Sequence, residues 1–307
     1  MRPLTAVCAG LAFALFLGGG GQARAFCRAR TCDPSDPKQG CVVDKPSNCV
    51  KTGQPLHWVS SCVTFGVQED GSRRLGIDAN AVMSATDAAF SAWLSADCGG
   101  IGPSLTAASE GPVACAKSQY NKVGKNANIV MFRDDAWPYP GSSDSYALTI
   151  VRFDAETGEI FDADIEVNSA DYEITTDGSG LGSDLQSILT HEAGHFLGLA
   201  HTAASDDAAT MRTFWNGTGL DLRTLSLDDM AGICSSYPPG RIGPTSCTPR
   251  HGFASECDVP VEEADEGCGL ARPSAAGGKA PALILGALVV GLLRLKRRTR
   301  VSPQSRA

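Results

Sequence analysis

His191-Glu192-Ala193-Gly194-His195-Phe196-Leu197-Gly198-Leu199-Ala200-His201 is the stretch on which the reading of this chain turns. Three of the five histidines fall inside it. Helical as far as Leu197, it sets His191 and His195 one turn apart on the same face. Two imidazoles so placed can close on one zinc ion, and Glu192, about 100° round the helix, lies near the open side of that metal. Gly198 can take the left-handed conformation that stops a helix, so the chain turns back and brings His201 in as a third nitrogen ligand. Three neutral ligands leave a fourth position for water, the arrangement of a catalytic zinc rather than a closed structural one. His191 and His195 alone would fit two polar positions on an ordinary amphipathic helix; Gly198 and His201 at these offsets make the pattern specific.

Working outward, Ser183-Asp184-Leu185-Gln186 reads as a capping box with Ser183 as N-cap, and Leu185, Ile188, Leu189 and Phe196 as the buried stripe of the zinc helix. Downstream, Ser226–Tyr237 is predicted as the last helix, with Ser226 as N-cap, Asp229 in the first turn, and Met230, Ile233 and Tyr237 inward. Upstream, Val59–Val67 alternates as a strand, and Asp78–Trp93 carries Val82, Ala85, Ala89 and Trp93 at helical spacing. Cys98–Lys125 is rich in Gly, Ser and Pro and predicts no element. Asn128–Phe132 is a short buried strand, and Leu148–Phe153 and Ile160–Val167 are strands joined by the turn 154–159. Along the second of these, Asp162, Asp164 and Glu166 share one face. That row reads either as a solvated polar face near the cleft or as a possible Ca²⁺ site, since calcium takes several carboxylate oxygens.

The composition sets the surroundings. The 307 residues are 43% apolar, enough for one well-buried domain with extensions or for two small ones. A net charge of −8, with no basic cluster before the C-terminus, argues against a nucleic-acid partner. Twelve cysteines, not arranged as CxxC pairs, point to disulfides in an oxidising compartment. Residues 1–25 read as a secretory signal: Arg2, the apolar run Leu4–Leu17, and the small-x-small site Ala23-Arg24-Ala25, leaving Phe26 first. Residues 26–55 form a cysteine-rich lead-in, 56–240 the catalytic domain, 241–279 an acidic linker with a Cys247–Cys257 loop, and 280–307 an apolar and basic tail. Removing Cys8 with the signal and Cys268 with the tail would leave an even set of cysteines.

HExxHxxGxxH followed by a methionine turn resembles the metzincin clan of zinc endopeptidases. Thr202 after the third histidine, Ala209-Thr210-Met211, and Leu225-Ser226-Leu227-Asp228-Asp229-Met230-Ala231-Gly232-Ile233 are similar to the matrixin branch, that of the matrix metalloproteases. The specific motifs lie within 191–237, and a weaker similarity runs from Trp58 to Tyr237. The resemblance implies an α+β fold, the metzincin catalytic domain: a twisted mixed five-stranded sheet with three helices and the zinc site on the second. It makes His191, His195 and His201 ligands of one catalytic Zn²⁺, Glu192 the general base, and Met211 the hydrophobic floor beneath the metal. Asp228 and Asp229 take structural hydrogen-bonding roles. Thr213, two residues after Met211, stands where astacins and serralysins carry a zinc-binding tyrosine, which disfavours that branch.

The chain also departs from the family. No PRCGxPD segment is present, so no thiol switch is expected. No histidine lies between His57 and His191, so one zinc is expected rather than two. The loop from His201 to Met211 is longer than in vertebrate enzymes. Gly267-Cys268-Gly269, a short apolar segment and an Arg cluster resemble the C-terminal sorting tails of myxobacterial exported proteins, which are processed near the cysteine; a permanent anchor is the competing reading. Together these features predict an exported monomeric endopeptidase, secreted or at the cell surface, acting on protein or peptide substrates and touching the membrane only through its tail before processing. The alternative is an adhesion or binding module on the same scaffold with little turnover, against which the intact Glu192 counts.

Overall fold

A computed structural model describes residues 26–45, 47–179, 182–202 and 208–257, and the backbone of 287–290. The signal reading of 1–25, Cys8, Cys268 and most of the tail reading lie outside the described residues.

Among the described residues, three α-helices and ten strands, most of the strands very short, follow one another as β1 (Cys27–Arg28), β2 (Cys62–Gln68), α1 (Ala79–Leu94), β3 (Thr106–Val113), β4 (Ile129–Phe132), β5 (Ala147–Phe153), β6 (Ile160–Val167), β7 (Ile174–Thr175), β8 (Ser183–Asp184), α2 (Leu185–Phe196), β9 (Leu199–Ala200), α3 (Leu227–Ser236) and β10 (Ala287–Val290). The main sheet has the order β10-β5-β6-β4-β2-β3. β3, β2, β4 and β6 run parallel, and β5 returns antiparallel to β6. These five strands with three helices are the mixed sheet the sequence implied. A sixth, β10, adds antiparallel to the free edge of β5.

β3 occupies a stretch for which the sequence predicted no element. Its residues TAASEGPV are largely exposed, so no alternation marks them, and pairing with β2 alone defines the strand. α1 begins where Asp78 accepts a hydrogen bond from the Ala81 nitrogen.

The core lies between the sheet and the two central helices. Phe65 of β2 stacks on Phe90 of α1 at 4.7 Å, and Phe90 meets Phe196 of α2 edge-on at 5.0 Å. Each ring, fully buried, contributes about 1.5–3 kcal/mol. Indole nitrogens tie the layers together: Trp93 donates to the Thr190 carbonyl at 2.7 Å, and Trp58 to that of Phe196 at 2.9 Å. α2 is thus held from both sides before any ligand is considered.

Among the described residues, five disulfides join Cys27 to Cys49, Cys32 to Cys41, Cys62 to Cys247, Cys98 to Cys234 and Cys115 to Cys257. The expected Cys247–Cys257 loop is therefore corrected. Each of these two cysteines instead reaches back to the body of the domain. Main-chain pairing explains why: Ser61 donates to the Pro244 carbonyl, Asn126 bridges Phe253 and Ala114 bridges Glu256. Residues 244–257 are a strap along the sheet rather than a free linker.

The acidic face of β6 also differs from its reading. Asp162, Asp164 and Glu166 are fully buried. Arg152 lies 3.2 Å from Asp162 and 3.4 Å from Asp164, while Arg133 pairs with Glu166, which also accepts from Tyr139 at 2.8 Å. The segment between β3 and β4 covers this face: the Ser118 hydroxyl and the Ala116 carbonyl accept from the same two arginines. Arginine cations offset the charges here, because carboxylates removed from water need partners.

Candidate metal centre

The zinc helix starts one residue later than the predicted capping box. Ser183 is drawn into the two-residue strand β8 against Ile174, so Asp184 becomes the N-cap and accepts from the Ser187 nitrogen at 2.7 Å. Arg223 grips the same carboxylate with Nε at 2.8 Å and Nη2 at 2.5 Å. This is a bidentate pair from a segment the sequence could not associate with the helix.

α2 ends after Phe196, where Gly198 has φ +83°. A β-carbon there would stand 2.5 Å from the Leu56 carbonyl oxygen, so both conformation and space require glycine. The turn delivers His201. The three Nε2 atoms of His191, His195 and His201 converge at 3.2, 3.2 and 3.3 Å. Nitrogens bound to one tetrahedral zinc at about 2.0–2.1 Å stand roughly 3.3–3.4 Å apart, so the set fits.

The outer ring atoms fix the tautomers. His191 Nδ1 meets the Thr210 carbonyl at 2.6 Å and His195 Nδ1 the Leu199 carbonyl at 3.0 Å, so the proton sits on Nδ1 and the Nε2 lone pairs face inward. Two inward lone pairs converging with the His201 Nε2 form a cluster able to hold a cation. Burial lowers the pKa of His191 to about 4 and that of His201 to about 3, so both rings are neutral and available as ligands at neutral pH. Among the described residues this is the one cluster of three or more His, Cys, Asp or Glu side chains able to hold a metal ion.

Residues 111–238 match the family model described as Matrixin. The human protein Matrilysin is 36% identical over 104 residues, 34% of this chain and 35% of that protein. The chain thus spans about a third of the length of this relative. The matched segment is similar to the matrixin family. Its three histidines are the zinc site typical of matrixins.

Met211 packs against the back of α2. A β-carbon at Gly194 would lie 2.2 Å from its sulfur and 2.7 Å from Trp93, so the glycine between the two histidines lets the methionine turn approach. The turn is fastened by Asp229, fully buried at the start of α3. Its carboxylate accepts from Thr210 N at 2.7 Å, Met211 N at 3.0 Å and Ser226 N at 2.9 Å. Asp228 accepts from the Thr202 hydroxyl at 2.7 Å and from Phe26 N at 2.9 Å. Both aspartates therefore hold loops against α3, as the resemblance implied.

Glu192 is buried beside the triad, and burial raises its pKa to about 8 against the pull of a hydrogen bond from Thr149. Thr149 is the site residue that the sequence reading missed. The available signal was a lone hydroxyl in the apolar strand Ala147–Phe153.

Removal of zinc tests the centre directly. At free zinc a hundredfold above Kd, binding adds about 2.7 kcal/mol, equivalent to roughly 5–10 °C for a domain of this size. Chelation should lower the thermal midpoint by that amount and re-addition should restore it; a midpoint indifferent to zinc would exclude a site formed by the folded state.

Proposed function

We propose that this chain is an exported zinc-dependent endopeptidase that hydrolyses peptide bonds of protein substrates. The observation that carries the reading is the convergence of the three Nε2 atoms with Glu192 on the same helix, buried and outside the ligand set. Zinc held by His191, His195 and His201 supplies Lewis acidity to the scissile carbonyl and to water. Glu192 takes a proton from the attacking water and passes it to the leaving amine. Met211 supports the ligands from behind, and Asp229 holds Met211.

The five disulfides support export, because such a set persists outside the reducing cytoplasm. Processing after Ala25 is supported by Phe26. Its nitrogen already donates to Asp228, and cleavage would turn that nitrogen into an ammonium facing the carboxylate. The tail is read as a sorting segment that is removed. β10 lies antiparallel along β5, with Val290 opposite Thr149. An extended substrate taking the same edge through main-chain hydrogen bonds must displace it. No helix among the described residues is long and apolar enough to cross a membrane. The mature enzyme is read as a monomer.

Casein digestion by the purified protein, with and without a chelator, tests the reading. Cleavage that stops on chelation and returns with zinc is expected, faster when residues 280–307 are absent. A protein that binds zinc yet cleaves neither casein nor a peptide library would instead be a binding module.

A further inference from the structure

We propose that Thr149 is a positioning residue for the general base, an inference that rests on the endopeptidase reading. Ala147, Val151 and Phe153 share its face of β5 and belong to the hydrophobic core. Thr149 is the one polar side chain in that series. It is fully buried, so its hydroxyl must find an acceptor within the protein.

The acceptor is Glu192. Thr149 Oγ1 lies 2.6 Å from Glu192 Oε2 and 3.2 Å from the Glu192 carbonyl oxygen. A hydroxyl carries a single proton, and the shorter contact is the stronger. Glu192 Oε1 is buried and has no hydrogen-bond partner. The two oxygens of one carboxylate thus have different duties. Oε2 is pinned from the strand, which fixes the rotation of the carboxylate plane, and Oε1 remains free to receive the proton of the attacking water.

The contact also links sheet to helix at the point where chemistry occurs. Thr149 sits on the strand along which β10 runs, paired with Ile165 of β6. Its backbone therefore has little freedom, and a base held by it inherits that rigidity. Valine is close to threonine in shape and would suit the apolar face equally well, so packing alone does not require the hydroxyl.

Thr149→Val and Thr149→Ser separate the roles. Partners of this kind cost roughly 10- to 100-fold when removed. In the zinc-loaded full chain, Thr149→Val is expected to lower kcat by that factor, with KM and zinc content unchanged. Thr149→Ser, which keeps the donor and loses a methyl, should stay within a few-fold of wild type. Crystals of the two variants give a readout independent of turnover: the Glu192 carboxylate should rotate from its position in Thr149→Val and hold it in Thr149→Ser. Wild-type kcat in Thr149→Val, a serine variant as impaired as the valine one, or an unmoved carboxylate in Thr149→Val would overturn the assignment. A wild-type protein that cleaves nothing would fail the endopeptidase reading instead, while the crystals still decide whether Thr149 holds the carboxylate.

Discussion

Glu192→Ala is expected to leave zinc bound and to lower kcat by roughly 10²–10⁴-fold, the usual contribution of a positioned general base. The separation of the two effects follows from geometry. The ligands are the Nε2 atoms of three histidines whose orientations are set by the Thr210 and Leu199 carbonyls and by the turn at Gly198. Glu192 contributes to none of these constraints. Its carboxylate touches Thr149 and leaves Oε1 without a partner.

The same substitution should also change how stability depends on pH. Burial raises the Glu192 pKa from 4.5 to about 8. A carboxyl whose folded pKa is raised contributes fully only below its unfolded value, and that contribution is lost as pH rises toward the folded one. In the metal-free protein, Glu192→Ala should therefore gain stability relative to wild type as pH rises from 5 to 8. Equal cleavage by the variant and the wild type would remove Glu192 from the mechanism. A variant that has also lost its zinc would show that the carboxylate is structural.

Asp229→Ala should have the largest effect on stability. The side chain is 1% exposed and accepts from Thr210 N, Met211 N and Ser226 N. Alanine leaves those buried donors without an acceptor, at about 1–3 kcal/mol each. Two such losses already take a large part of a typical stability of about 5–15 kcal/mol. Zinc affinity should fall as well, because the Thr210 carbonyl that orients His191 belongs to the same turn. Asp229→Asn, which keeps one accepting oxygen, should fall between the alanine variant and wild type. Chemical denaturation with and without zinc, together with a zinc titration, reads both effects. An unchanged midpoint and unchanged zinc affinity would mean that the turn is held by other contacts.

The reach of the sequence can be judged from particular residues. The strands β2, β4, β5 and β6 and the three helices were legible because each carries its own alternation, period or cap. Ser226, for example, caps α3 in a reciprocal capping box with Asp229. β3 was not legible, because its exposed residues carry no pattern and β2 alone makes them a strand. Ser183 was misread as the cap of α2 because pairing with Ile174, remote from any helix signal, claims it for a strand. The acidic row of β6 was seen, but not its pairing with Arg152 and Arg133, whose positions depend on how the segment after β3 folds over the sheet.

The sequence by itself determined the histidine cluster, since His191, His195 and His201 lie within one helical turn and one glycine turn of each other and local backbone geometry brings them together. Only the tertiary structure decided what surrounds them: the hydroxyl of Thr149 on Glu192, the grip of Asp229 on Met211 and the return of Cys247 and Cys257 to the sheet. Those partners lie tens of residues or more from the groups they meet, except for Asp229 and Met211, which are joined only through a fold-back of the chain. Neither periodicity nor spacing encodes a contact that depends on how layers pack.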